Sequence, residues 1–337
     1  MLKYIAKRLA YAVLILVGVS LIIYLLIRMM PVDFIQSKID ALNQGGAQVT
    51  EEQVQAMYKA YGLEDTTNMT FGEKLASYFS GWAGWLGAMV QGDLGTSFKY
   101  AIPVAQKIAE CMWLSFAVAL IATIFEFMIA IPLGITAATH QYSIRDYVVT
   151  ILVMIGISLP SFFFGNILKD WFALKLGLFP VNGLESAGKT LTGFARILDY
   201  LWHLVIPIMT LVILSIGGRM RMTRTNMLEV MNSDYIRTAR AKGLKESVVI
   251  NKHAFRNTLI PLVTSLAGLL PSLFSGAIIT EQVFDLPGIG NVALIAMNSG
   301  DIPFIMGYNM FLAVLSVLGI LLADLMYGLV DPRVKLS

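Results

Sequence analysis

Asn232-Ser233-Asp234-Tyr235-Ile236-Arg237-Thr238-Ala239-Arg240-Ala241-Lys242-Gly243-Leu244-Lys245-Glu246-Ser247, continuing through His253-Ala254-Phe255-Arg256-Asn257 to Ile260-Pro261, is a polar, basic stretch set between two apolar runs. Ser233 or Asp234 is placed to cap a helix by accepting from its free backbone N–H groups. Gly243 is placed to end it, because glycine enters the left-handed C′ conformation at no steric cost. The spacing predicts a short helix of about two to three turns. Glu246-Ser247 then opens a second helix that runs on into the apolar residues from Leu259. The result is a bent helix pair held at both ends by hydrophobic spans.

The composition supports those spans. Of 337 residues, 57% are hydrophobic and 14% charged, with a mean hydropathy of +0.70. Soluble domains carry about 25% charged residues, so this balance indicates a polytopic membrane protein. The single cysteine, Cys111, excludes an intrachain disulfide and a cysteine metal cage. His140, His203 and His253 are too scattered for a metal site, and none is expected.

Working outward, residues 1–30 form a cytoplasmic segment with Lys3, Lys7 and Arg8, then a first span that is apolar over 9–27. That run is longer than the ~7–15 residues of a signal peptide's apolar region, and Arg28 can snorkel to the far interface. Residues 31–112 form an extracytoplasmic insert with short helices and more acids than bases. Within it, Thr50-Glu51-Glu52-Gln53 reads as a capping box. The stretch 75–90, with Tyr78, Phe79, Trp82 and Trp85, suits an interfacial helix better than a span. Further apolar segments at 113–138, 147–172, 201–217, 259–279 and 304–330 bring the expected spans to six, with a cytoplasmic loop at 218–258 and a tail at 331–337. On this register the inner loops hold Arg145, then Arg219, Arg221, Arg224, Arg237, Arg240, Lys242, Lys245, Lys252 and Arg256, then Arg333 and Lys335. The outer connection 281–303 has Glu281, Asp285 and Asp301 and no Lys or Arg. This is the positive-inside pattern, and it puts both termini and the opening stretch in the cytoplasm.

Three stretches resemble one family. Asp234-Tyr235-x-Arg237-x-Ala239-Arg240-Ala241-Lys242-Gly243-Leu244 with His253-Ala254-x-x-Asn257, Gly92-Asp93-Leu94-Gly95-Thr96-Ser97, and Glu281-x-Val283-Phe284-x-x-Pro287-Gly288-x-Gly290 are similar to the permeases of bacterial ATP-binding-cassette importers in the dipeptide, oligopeptide and nickel branch. The wider superfamily's Glu-Ala-Ala-x-x-x-Gly signature is kept at Ala239 and Gly243, with Arg237 and Thr238 replacing Glu-Ala. The resemblance implies an all-α type I importer permease, with a five-helix permease core at 113–330, in the bacterial cytoplasmic membrane. It implies a coupling helix seated in a cytoplasmic ATPase, involving Asp234, Tyr235, Arg237, Ala239, Arg240, Ala241, Lys242, Gly243, Leu244, His253, Arg256 and Asn257. Ala239 and Ala241 would allow close approach, Tyr235 and Leu244 would supply apolar knobs, and the basic residues a polar rim.

Ser158, Pro160, Ser161, Thr264, Ser265, Pro271, Ser272 and Ser275 lie in helix-loosening, hydroxyl-rich spans that the resemblance assigns to the translocation pathway. Glu281, Phe284, Pro287, Gly288 and Gly290 would form an outer gate and binding-protein platform. The implied partners are a second permease, two ATPase subunits that bind ATP and Mg, an extracellular solute-binding protein and membrane lipids; no nucleic acid and no cofactor of the chain's own is expected. Peptides are the expected substrate, with nickel chelates or other small solutes as the alternative.

The basic stretch resembles a lipid-bound loop or a helix-turn-helix, but lipid binding does not need the Ala/Gly spacing, and DNA readers are seldom tethered at both ends to membrane spans. Gly183-Leu184-Glu185-Ser186-Ala187-Gly188-Lys189-Thr190 matches the Walker A pattern, yet it lacks the preceding buried strand and falls on the outer side. No other catalytic constellation is present in the sequence. A stand-alone secondary transporter should show internal repeats and midplane acids; only Glu126 fits, and an interhelical hydrogen bond is the simpler expectation for it. Asp324 is expected near the cytoplasmic end with an interfacial partner.

Overall fold

The computed structural model describes residues 2–28, 35, 39, 50, 70–188, 190–258 and 268–330. These residues are mainly helical, and four of their helices are long and apolar enough to cross a membrane: Lys7–Arg28, Val104–Thr139, Gly193–Met231 and Ile302–Asp324. A bent pair, Ile144–Ser158 and Ser161–Lys175, makes a fifth candidate. The chain divides into two compact units, Met1–Met112 with Val292–Val317, and Trp113–Asn291 with Leu318–Ser337.

In the first unit, α1 (Leu2–Arg28) packs on α2 (Phe71–Val90). Helix α2 opens with a capping box in which Thr70 accepts from the Glu73 N–H and Glu73 accepts from the Thr70 N–H. The box expected at 50–53 falls, Thr50 apart, outside the described residues. Trp82 Nε1 donates to Ser20 Oγ at 3.1 Å, and the Tyr24 hydroxyl rests where a Cβ on Gly81 would lie. With twenty residues and less apolar character than the crossing helices, α2 is not among the candidate spans. The turn after α2 is tied to the last helix by Asp301. This carboxylate has no exposed surface; it accepts from the Ser97 hydroxyl, the Phe98 and Lys99 N–H groups and, at 3.3 Å, the Phe304 N–H.

In the second unit, α3 (Val104–Thr139, continuing from the first), α4 (Ile144–Ser158) and α5 (Ser161–Leu168, extended as a π-helix over Lys169–Lys175) surround α6 (Gly193–Met231). Small residues set the approach. A Cβ on Gly134 of α3 would stand 2.7 Å from Thr223, and one on Gly156 of α4 would stand 3.0 Å from the Ile213 carbonyl. Two ion pairs join these helices: Glu126–Arg219 at 3.1 Å between α3 and α6, and a bidentate Asp146–Arg224 pair at 2.9 and 3.0 Å between α4 and α6.

Two sequence expectations are corrected here, and a third lies partly outside the described residues. The segment 147–172 is not one straight span: it turns by 104° between α4 and α5. Pro160 lacks an N–H and forces Leu159 into extended backbone (φ −91°, ψ 134°). The helix expected at 201–217 continues to Met231, because Arg219 and Arg224 find carboxylates on neighbouring helices rather than water. In the segment 259–279, residues 259–267 lie outside the described set; the remainder is two short helices, α9 (Leu269–Phe274) and the start of α10 (Ile278–Val283), separated at Gly276 with φ +73°. Helices α11 (Ile289–Asn298) and α12 (Ile302–Val330) follow.

Candidate functional site

The stretch after α6 folds as expected in outline. Helix α7 covers Asp234–Ala241, and Gly243 follows it with φ +75°. The cap is different. Ser233 Oγ donates to the Val230 carbonyl at 2.6 Å, and no side chain caps α7; Asp234 contributes only its charge at the positive end of the helix dipole. The second helix, α8, starts at Glu246–Val248, passes through a π segment Val249–Ala254 and is helical to Thr258. The π segment has a packing consequence. Residues five apart lie on different faces of an α-helix but nearly in line in a π turn. Val249 and Ala254 are thereby both buried against Met227, Ile236, Ala239 and Ala138.

This packing gives the stretch two faces. Ile236 and Ala239 point inward, so the small side chain of Ala239 serves the chain's own core and is not available to a partner, contrary to the expected close approach. On the outward face, Tyr235 is 48% and Leu244 40% exposed, alongside exposed Asp234, Arg237, Ala241, Lys242 and Gly243. Arg240 is engaged within the chain. Its guanidinium donates to Glu246 at 2.7 Å, which lowers the Glu246 pKa from the ordinary carboxylate value and raises that of Arg240. Arg256 and Asn257 are exposed, Asn257 donating to the His253 carbonyl. Two apolar side chains, Tyr235 and Leu244, thus stand exposed among the charged residues of this loop.

The stretch 276–291 departs from expectation more. Glu281 is 2% exposed. Its carboxylate accepts from Ser115 Oγ at 2.6 Å, the Ala277 N–H at 3.2 Å and the Asn291 N–H at 2.9 Å, while Ser115 in turn accepts from the Ile289 N–H. The glycines leave room for it: a Cβ on Gly288 would overlap the Glu281 carboxylate, and one on Gly290 would lie 3.0 Å from it. Phe284, Gly288 and Gly290 are buried as well. Of the residues assigned to an outer platform, only Pro287 is exposed, beside Gln282 and Asp285, so direct contact through Glu281, Phe284, Gly288 or Gly290 is not available in this conformation.

Among the pathway candidates, Ser158, Pro160 and Ser272 are exposed and Ser161, Pro271 and Ser275 half-buried; Thr264 and Ser265 lie outside the described residues. Ser158 and Ser272 donate to carbonyls of their own helices. In the Walker-like loop the Ser186 N–H and hydroxyl both bond to Asp199, the Gly183 N–H bonds to the Phe284 carbonyl, and Glu185 holds Arg196 and Tyr200. A carboxylate and a backbone carbonyl therefore take two of the backbone donors that a phosphate would need; Lys189 is outside the described residues. Glu126, expected to make an interhelical hydrogen bond, does so as the partner of Arg219.

Residues 130–336 match the family described as binding-protein-dependent transport system inner membrane component, and residues 1–119 match that family's N-terminal component. The chain belongs to this family. The permease is 36% identical over 336 residues to the oligopeptide transport system permease protein AppB of Bacillus subtilis (strain 168), covering 99% of this chain and 100% of the relative. It is 31% identical to the dipeptide transport system permease protein DppB of Escherichia coli (strain K12), covering 99% of each. Its fold is similar to a chain of the MetNI methionine ABC transporter, with a TM-score of 0.50, 18% identity, and coverage of 67% of this chain and 97% of the other. The permease is accordingly a multi-pass membrane component of an importer and not a catalytic subunit.

Proposed function

We propose that the permease forms half of the path by which an ATP-driven importer takes up peptides handed to it by an extracellular binding protein. The observation that carries this reading is the two-faced coupling stretch. Ile236 and Ala239 anchor α7 in the core under α6, while Tyr235, Ala241, Lys242 and Leu244 face outward. A helix fixed on one side and open on the other is suited to transmit movement between a soluble ATPase and the spans. Each of two ATPases would take one such helix, from this chain and from a second permease, and alternate access would follow their closing and opening. Six spans with cytoplasmic termini fit this arrangement. Peptide is the proposed cargo because the relatives that align end to end are peptide permeases.

Gly243→Asp tests the reading. No atom of the chain lies within 4 Å of a Cβ at this position, so the substitution costs about 1 kcal/mol of backbone strain and collides with nothing internal. It also adds an anion at the negative end of the α7 dipole. The expected outcome is normal membrane abundance with peptide uptake lost and co-purification of the ATPase subunits weakened. Wild-type uptake by the variant with its ATPases bound would refute the coupling role. Sidedness is checked separately in a Cys111→Ser background, where a cysteine at exposed Asn298 should react with an impermeant maleimide from outside and one at Lys242 should not.

A further inference from the structure

The first unit contains a cavity of about 700 Å³ lined by Tyr24, Arg28, Trp85, Thr96, Ser97 and Phe98, among others. Two of its polar groups stand out. Arg28 Nε and Trp85 Nε1 are both buried without a hydrogen-bond partner. Buried donors in folded proteins are nearly always satisfied, and a pair of orphans on one cavity points to a ligand that supplies acceptors. The pair is held in place: the Arg28 guanidinium lies 5.4 Å from the Tyr24 ring centroid, and the Tyr24 and Trp85 rings are 6.2 Å apart. No carboxylate is among the described lining residues. The nearby Asp301 carboxylate is already engaged by the Ser97 hydroxyl and the Phe98 and Lys99 amides. The site therefore offers a guanidinium and an indole N–H toward a space that no carboxylate among the described residues lines.

We propose that this cavity holds the phosphodiester of an anionic phospholipid. A guanidinium and a neighbouring N–H donor match a singly charged oxyanion. The location decides which oxyanion. Arg28 is the last residue of the apolar span Lys7–Arg28, the depth at which a crossing helix meets lipid headgroups. Helix α2, which contributes Trp85, also exposes Phe71, Leu75, Phe79 and Val90, an apolar surface for acyl chains that a soluble anion would not need. Beside Trp85, a Cβ on Gly84 would meet nothing within 4 Å, which leaves space for a bulky headgroup. The lipid would act as a wedge between α1 and α2.

The experiment is native mass spectrometry of the full-length permease, with the subunits that co-purify, released from mixed micelles of dioleoyl phosphatidylglycerol and dioleoyl phosphatidylcholine. Wild type should retain phosphatidylglycerol in preference to phosphatidylcholine. Arg28→Gln should lower that retention about tenfold, and Trp85→Phe, which keeps a smaller aromatic ring and removes the donor, about threefold. Equal retention by wild type and a normally assembled Arg28→Gln overturns the proposal. If Arg28→Gln does not accumulate, Trp85→Phe decides, and unchanged retention by that variant overturns it. Inorganic phosphate and an unlabelled dipeptide at millimolar concentration are the competing probes. Arg28-dependent binding of either, without preferential lipid retention, assigns the cavity to a soluble oxyanion and overturns the lipid assignment. Uptake is not the readout, so failure here is distinguishable from failure of the coupling role.

Discussion

The stretches 232–258 and 276–291 are both dense in motif residues, and both read in sequence as partner contacts. Folded, they diverge. The first keeps Tyr235, Lys242 and Leu244 on its surface and buries Ile236, Ala239, Val249, Ala254 and Thr258. The second turns its acid, its aromatic ring and two of its motif glycines inward around the Glu281 carboxylate. The glycines show the difference in miniature. Gly243 is required by its backbone conformation and has empty space around it, whereas Gly288 is required by a side chain lying where its Cβ would be. A motif glycine can thus mark a free surface or a filled one, and the sequence does not say which.

The largest effect should come from Glu281→Ala, which strips an acceptor from one hydroxyl and two backbone N–H groups at once. A loss of about 3–5 kcal/mol is expected, read as a collapsed thermal midpoint of the detergent-solubilised permease, with Glu281→Gln partly restoring it. An unchanged midpoint would return this residue to the surface role that its burial denies. Next, Gly288→Ala should cost about 1–3 kcal/mol through overpacking, against about 1 kcal/mol for Gly243→Ala. If the two proved equal, or their order reversed, the contrast between filled and free glycines would fail.

The smallest effect belongs to the Arg240–Glu246 pair, whose side chains are 39% and 54% exposed. Glu246→Gln should cost about 0.2–1 kcal/mol. Because the folded-state pKa of Glu246 is depressed, mainly by the hydrogen bond from Arg240, the pair contributes fully above the ordinary carboxylate pKa and is lost as pH falls through the lower folded value. The difference in midpoint between wild type and Glu246→Gln should therefore stay flat from pH 8 to 6 and vanish in acid. A difference that changed near neutral pH would point to another titrating group.

Hydropathy and loop charge made the membrane class and most of the long helices legible, but Pro160 was read only as loosening one span over 147–172, not as the 104° break between α4 and α5. Helix α6 was read too short because arginines after an apolar run look like a loop; nothing local to Arg219 or Arg224 reveals the carboxylates waiting on α3 and α4. The same blindness applied to the acids of 281–303. Glu281 and Asp301 counted as loop charge, yet both are consumed by internal donors. The positive-inside rule depends on Lys and Arg and hardly on acids, so it does not register where these carboxylates go. In the coupling stretch, helix period and the terminal glycine were readable from sequence. The π segment that turns Val249 and Ala254 to one side was not, because no local pattern in 249–254 distinguishes it from ordinary helix.

Helix α6 is a single element of 39 residues, which at 1.5 Å per residue makes a shaft roughly 58 Å long, about twice the ~30 Å hydrocarbon core of a bilayer. One end is moored by Arg196 and Tyr200 to Glu185, and the other passes directly into α7. Its two ionic clamps, to α3 and α4, both lie in the half nearest α7. Pro207 stands within the shaft and removes one of its backbone hydrogen bonds, so the half that carries both clamps is able to bend against the other half. A displacement of α7 would therefore reach α3 and α4 first, through Arg219 and Arg224, before it reached the end held by Glu185.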